Sequence, residues 1–168
     1  PEDVDAAIAN LEVGGTNLLD NSKVEKLGDW SGDSATITFD ESTNSIKGVP
    51  NGNYPRIKNT SVKDIGFVVG KYYTISMDMK ANAVATRSAY VGNNIGNVVA
   101  LNFGTFSVST SWNRIKLTAI CRDHDANVAD FGLYIYCGTQ KANDKTEFVQ
   151  IRNIKLEEGK LATSWSPS

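Results

Sequence analysis

Apolar and polar residues alternate with a period of two through most of this chain, and the pattern starts only after Gly14-Gly15. That period puts successive side chains on opposite faces of a strand, so each run buries one face and wets the other. The clearest run is Tyr72–Lys80, in which Tyr73, Ile75, Met77 and Met79 share one face and Thr74, Ser76, Asp78 and Lys80 share the other. Arg114–Arg122 alternates with Ile115, Leu117, Ala119 and Cys121 inward. Phe131–Cys137 sets Phe131, Leu133, Ile135 and Cys137 against Tyr134 and Tyr136. Phe148–Leu156 alternates until Asn153, where the parity slips as it does at a β-bulge. Shorter runs at Thr16–Leu19, Ser34–Phe39, Tyr54–Ile57, Phe67–Val69, Ser88–Val91, Val98–Phe103 and Thr105–Val108 complete a set of roughly ten strands. Turn residues separate them, as in Pro50-Asn51-Gly52-Asn53 and Gly92-Asn93-Asn94. Many short strands, each with one buried face, predict an all-β, two-sheet antiparallel β-sandwich or a barrel.

The first fourteen residues differ. Pro1, Glu2 and Asp3 are a helix-start signature, and Val4, Ile8 and Leu11 fall on one helical stripe. This predicts a helical linker or the end of a coiled coil over 1–14, with a single sandwich domain over 15–168. A start at Pro1 rather than Met leads us to expect a piece of a longer protein.

Composition narrows the partners. The formal net charge is −2 and there is no basic block, so neither nucleic acid nor an anionic membrane is expected. No apolar run is long enough to cross a bilayer as a helix. Cys121 and Cys137 have core-facing parity, so two buried thiols are expected, with a bridge between neighbouring strands as the alternative. The chain lacks a G-x-S-x-G elbow, an H-E-x-x-H run and a phosphate-binding glycine loop, so no catalytic activity is expected. Asp123, Asp125 and Asn127 imitate the start of a calcium loop, but Val128 replaces the required glycine and Tyr134 the terminal Glu. No cofactor is expected. A structural calcium held by Asp123 and Asp125, or by Asp20 and Glu157, is the one metal site left open.

Both ends of the chain carry a further signal. The C-terminal run Ile154-Lys155-Leu156-Glu157-Glu158-Gly159 continues to Ala162-Thr163-Ser164-Trp165-Ser166-Pro167, and the N-terminal side holds Pro1-Glu2-Asp3 and Thr16-Asn17-Leu18-Leu19. Together with Tyr72–Ser76 and Thr110–Arg114, these runs resemble the jelly-roll modules of tail and receptor-binding proteins of phages that infect Gram-positive bacteria. That group is similar to carbohydrate-binding modules of families four, nine and sixteen. The resemblance implies a jelly-roll sandwich and recognition of a host wall or surface polysaccharide. It also implies neighbouring tail-protein domains and a place on the virion tail or fibre. A structural spacer or a trimerising module, and hence a homotrimer, is the alternative.

A sugar site needs flat aromatic rings for the C–H face of a pyranose and planar polar groups for its hydroxyls. Tyr134 and Tyr136 are the first candidates, because they project from the non-core face of one strand. Tyr90 follows the same logic. Asp78 is the natural hydroxyl acceptor if its strand lines the same face. Arg87, Arg122, Gln150 and Arg152 are further polar candidates, and Trp30 is either a platform or a plug at the end of the sandwich. Trp112 and Trp165 are expected to pack against the body, and so is Tyr54, with stacking on a sugar from its loop as the alternative.

Overall fold

The computed structural model describes residues 15–19, 26–95, 98–140 and 145–165. The helix expected over 1–14, and Asp20, lie outside the described residues. Among the described residues there are ten strands: β1 Trp30–Asp33, β2 Ala35–Asp40, β3 Ser45–Pro50, β4 Arg56–Asn59, β5 Tyr72–Ala81, β6 Ala85–Gly92, β7 Val99–Val108, β8 Asn113–Ile120, β9 Gly132–Tyr136 and β10 Val149–Glu158. They form two five-stranded antiparallel sheets. The front sheet has the order β1-β4-β9-β6-β7 and the back sheet β2-β3-β10-β5-β8. The all-β sandwich expected from the alternation is what the chain folds into.

Alternation decides what lies between the sheets. Ile75, Met77 and Met79 of β5, Leu133 and Ile135 of β9, and Ile151 of β10 are completely buried. Cys121 and Cys137 are both buried and unbridged, and burial pushes the Cys137 thiol up to about 12. The bulge expected at Asn153 is present. The β10–β5 register shifts between Arg152 and Lys155, and Asn153 has a φ of 50°.

Four local readings change. Val98–Phe103 and Thr105–Val108 are one strand, β7, bent by a bulge at Gly104, whose φ of 76° suits glycine. Phe67–Val69 is not a strand. β1 and β3 are strands where none was expected. In β3 Ile46 and Gly48 face inward, and at Gly48 a Cβ would lie 2.7 Å from Ile57 Cγ1, so close packing leaves no apolar side chain there to extend the pattern.

Thr16–Leu19 is the fourth. It is an extended strap without strand pairing, bound to β10 through Asn17. The Asn17 amide donates to the Ile154 carbonyl at 2.9 Å, and its side-chain oxygen accepts from Leu156 N–H at 3.2 Å. Leu18 N–H donates to the Leu156 carbonyl at 2.7 Å. The C-terminal segment closes over the same strand. Lys155 Nζ donates to Thr163 Oγ1 (2.6 Å) and to the Ser164 carbonyl (2.8 Å), while Glu157 accepts from Thr163 Oγ1 (2.7 Å). This clasp explains why Lys155 and Glu157, which face away from the core, are only 1% exposed.

Replacing Asn17 with Ala removes both bonds, together with a third that its Oδ1 accepts from Leu19 N–H (3.1 Å), and leaves buried backbone groups unpaired, which costs about 2–3 kcal/mol. For a domain of this size the melting midpoint is expected to fall by roughly 5–10 °C. Thermal unfolding followed by circular dichroism measures it.

Candidate functional site

The outer face of the front sheet gathers the aromatic candidates. Register places Asp33, Arg56 and Tyr136 in one row across β1, β4 and β9. Lys58, Tyr134 and Tyr90 form the next row across β4, β9 and β6. All point away from the core, because Ile57, Ile135, Ala89 and Val91 at the alternate positions are buried between the sheets.

Arg56 organises this face, and sequence reasoning missed it. A guanidinium carries five N–H donors, and all five are engaged here. Nε donates to the Tyr54 carbonyl (3.1 Å). Nη1 donates to Tyr90 Oη (2.5 Å) and the Asn94 carbonyl (2.7 Å). Nη2 donates to Asp33 Oδ2 (2.7 Å) and Asn94 Oδ1 (2.5 Å). The residue is 5% exposed, and its charge lies 4.7 Å from the Tyr134 ring centre. The 54 loop, β1, β6 and the loop after β6 are thereby tied to one group. Asn94 is held from its other side, where its N–H donates to Asp130 Oδ2 at 3.1 Å.

The hub borders a cavity of about 490 Å³ lined by Asp33, Asn53, Tyr54, Arg56, Tyr90, Asn94, Ile95 and Tyr136. Tyr54 was expected to pack, yet it is 51% exposed. Its φ of 55° is rare for an aromatic residue, and its own N–H bonded to the Gln140 carbonyl (2.9 Å) and its carbonyl bonded to Arg56 pin it there. A second cavity of about 500 Å³, lined by Thr86, Arg87, Ser88, Thr105, Thr139 and Gln140, meets the first at Tyr136.

Tyr134 has the expected outward parity, but it is not a platform. It is completely buried, stacked on Tyr90 with ring centres 5.1 Å apart, and its hydroxyl donates to the Asp130 carbonyl at 2.5 Å. Tyr134 supports Tyr90 and Arg56, and Tyr136 and Tyr54 present the accessible rings. Burial raises the hydroxyl pKa of all three inner tyrosines, Tyr90 to about 12 against the opposing pull of Arg56. Their rings therefore stay neutral well into the alkaline range.

The remaining candidates do not line the first cavity, although Arg87 lines the second. Trp30 starts β1 on its inward side and is 3% exposed, so it is the plug and not a platform. Arg87 has core-facing parity in β6, is 8% exposed, and lies 3.8 Å from Glu147. Asp78, Gln150 and Arg152 sit on the outer face of the back sheet, so Asp78 does not share a groove with the tyrosines. Arg122 is exposed in the loop after β8. For metal, Asp125 Oδ1 caps its own turn by accepting from Asn127 N–H (2.9 Å), and Glu157 is engaged by Thr163. Among the described residues, Asp123 included, no three His, Cys, Asp or Glu side chains gather as ligands.

No family model matches this chain, and neither does any curated protein. Solved structures do. A family 4 carbohydrate-binding module superposes with a TM-score of 0.62 at 14% identity, over 79% of this chain and 96% of its own. The family 22 xylan-binding domain from Paenibacillus barcinonensis gives 0.55 at 14%, over 88% and 97%. A variant of a family 29 carbohydrate-binding module gives 0.56 at 14%, over 86% and 90%. The chain therefore has the jelly-roll sandwich fold of these modules.

The tyrosine shifts carry a pH dependence. An unfolded tyrosine loses its proton near pH 10, whereas folded Tyr90 holds it to about pH 12. The unfolded state thus binds fewer protons in that window, so the stability present below about pH 10 is lost as pH rises through about 12. The urea midpoint should fall over this range, and Tyr90→Phe should flatten part of the fall. An unchanged slope in the variant would remove Tyr90 from the account.

Proposed function

We propose that this chain is a non-catalytic carbohydrate-binding module of a phage tail or receptor-binding protein, adhering to a saccharide of the host surface or cell wall. The observation that carries the reading is the cavity on the front sheet, where the exposed ring of Tyr54 and the half-buried ring of Tyr136 stand among Asp33, Asn53 and Asn94. Tyrosine rings stack on the apolar face of a pyranose, and the amides and carboxylate bond its hydroxyls. The volume falls within the roughly 300–1,000 Å³ usual for small-ligand sites. Shared fold with carbohydrate-binding modules supports the ligand class. The end motifs support the setting on a tail or fibre.

Non-catalysis is supported by the lining. Asp33 is the only carboxylate among the described lining residues, and it is paired with Arg56. Glycoside hydrolysis ordinarily needs two carboxyl groups across the scissile bond. An open polar site of this kind holds one saccharide weakly, and many copies on a virion supply adhesion through avidity.

A fluorescent fusion of the chain, presented multivalently, should bind Gram-positive cells or purified wall polysaccharide saturably. Tyr136→Ala and Tyr54→Ala should each weaken saccharide binding by about tenfold or more, equivalent to about 1.4 kcal/mol. Tyr134→Ala should instead lower stability by about 3 kcal/mol, as loss of a buried ring does. A folded, multivalent fusion that binds nothing across a broad panel would favour a spacer.

A further inference from the structure

The outer face of the back sheet holds a second set of polar and aromatic groups, which the front-sheet cavity does not use. Register lays them out in two rows. Thr38, Lys47, Gln150 and Lys80 run across β2, β3, β10 and β5, with Trp112 just before β8 beside Lys80. Asp40 and Ser45, then Arg152, Asp78 and Arg114, form the next. Lys116 lies one step further along β8, and beyond it the chain-end clasp covers the sheet. Five cations thus face outward against the carboxylates of Asp40 and Asp78, on a chain whose net charge is −2.

The cations differ in how far they are engaged. Arg114 is committed to Asp78, Ser76 and the Asn153 carbonyl. Asp78 also accepts from Asn153 (2.9 Å) and forms an ion pair with Arg152, whose Nε lies 3.6 Å away, too long for a hydrogen bond. Arg152, unlike Arg56, donates one hydrogen bond among the described residues, to the Thr43 carbonyl (3.2 Å). Its Nε is buried with no hydrogen-bond partner. Its guanidinium carbon lies over Trp112, 4.0 Å from a ring centre. Lys47 and Lys80 have only rings beneath them, Phe148 at 4.4 Å and Trp112 at 5.3 Å, and no carboxylate within ion-pair distance among the described residues. Cross-strand neighbours on either side of Gln150, these ammonium groups are about 10 Å apart at their backbones.

We propose that this face is a second binding surface, separate from the front cavity, for a polyanionic saccharide. The remaining donors of Lys47, Lys80 and Arg152 take carboxylate, sulfate or phosphate groups repeated along the chain, and Trp112 contacts the sugar between them, while Gln150, buried and bonded to Asp40 and Ser45, holds the floor of the face. Net attraction of the whole chain for a polyanion is ruled out by its sign, so binding must be local to this face. None of the exposed large apolar side chains falls within the two rows, which argues for a polymer in water over a bilayer.

Native gels containing heparin, polygalacturonate or neutral dextran test this with the full chain. The wild type should be retarded by heparin or polygalacturonate and not by dextran, and the effect should weaken several-fold as salt screens the charges. Lys47→Gln with Lys80→Gln should weaken retardation at least tenfold, and Lys47→Arg with Lys80→Arg should keep it. These side chains are half-exposed, and unchanged melting curves would confirm that folding is intact. Tyr136→Ala should bind polyanions as the wild type does, which separates this surface from the front cavity. No retardation of the wild type, a glutamine pair that binds normally, or equal retardation by a single-stranded oligonucleotide would each overturn the proposal.

Discussion

A buried guanidinium is tolerable only when its protons find acceptors, and Arg56 finds one for each of them. The acceptors come from β1, from the loop before β4, from β6 and from the loop after it. Each is short-range and directional, so the wall of the cavity is as rigid as the sheet beneath it. Tyr134 completes the arrangement from below, with its ring under the charge and its hydroxyl on Asp130. The group that shapes the cavity therefore has no donor left for a ligand. On the proposed function, recognition falls to the side chains it holds, with Tyr54 placed by a backbone conformation that tyrosine rarely adopts unaided.

Much of the fold was legible because alternation is a statement about burial. Parity along single strands correctly assigned the core faces of β5 and β9, the outward direction of Tyr134 and Tyr136, and the slip at Asn153. Parity says nothing of strand order, however. Asp78 and Tyr136 both face outward, yet they belong to opposite sheets, and only the pairing of β5 with β10 and β8 reveals this. Nor does parity register what covers an outward residue, which is why Tyr134 read as a platform. Arg56 was invisible for a related reason: its partners are spread from Asp33 to Asn94, and no local spacing joins them. Tyr54 gave one local sign, its place just before a proline in an Asn-Gly-Asn-Tyr-Pro turn, and its exposure follows from the bonds that pin that turn.

The terminal motifs have a concrete meaning in the structure. Asn17, Lys155, Glu157 and Thr163 are the residues that join the chain ends to β10. Their spacing records a way of sealing one sheet rather than a ligand site, so motifs of this kind can mark the architecture without specifying the sugar.

The clasp and the front cavity lie on opposite sheets, and this bears on how the molecule carries a mechanical load. A pull applied to residues 15 and 165 meets first the bonds of Asn17 and Leu18 to β10 and those of Lys155, within β10, to Thr163 and Ser164. Tension that loosens the ends would leave Arg56 and its ring of acceptors undisturbed, so a grip made through the front face would outlast considerable strain on the attachment behind it.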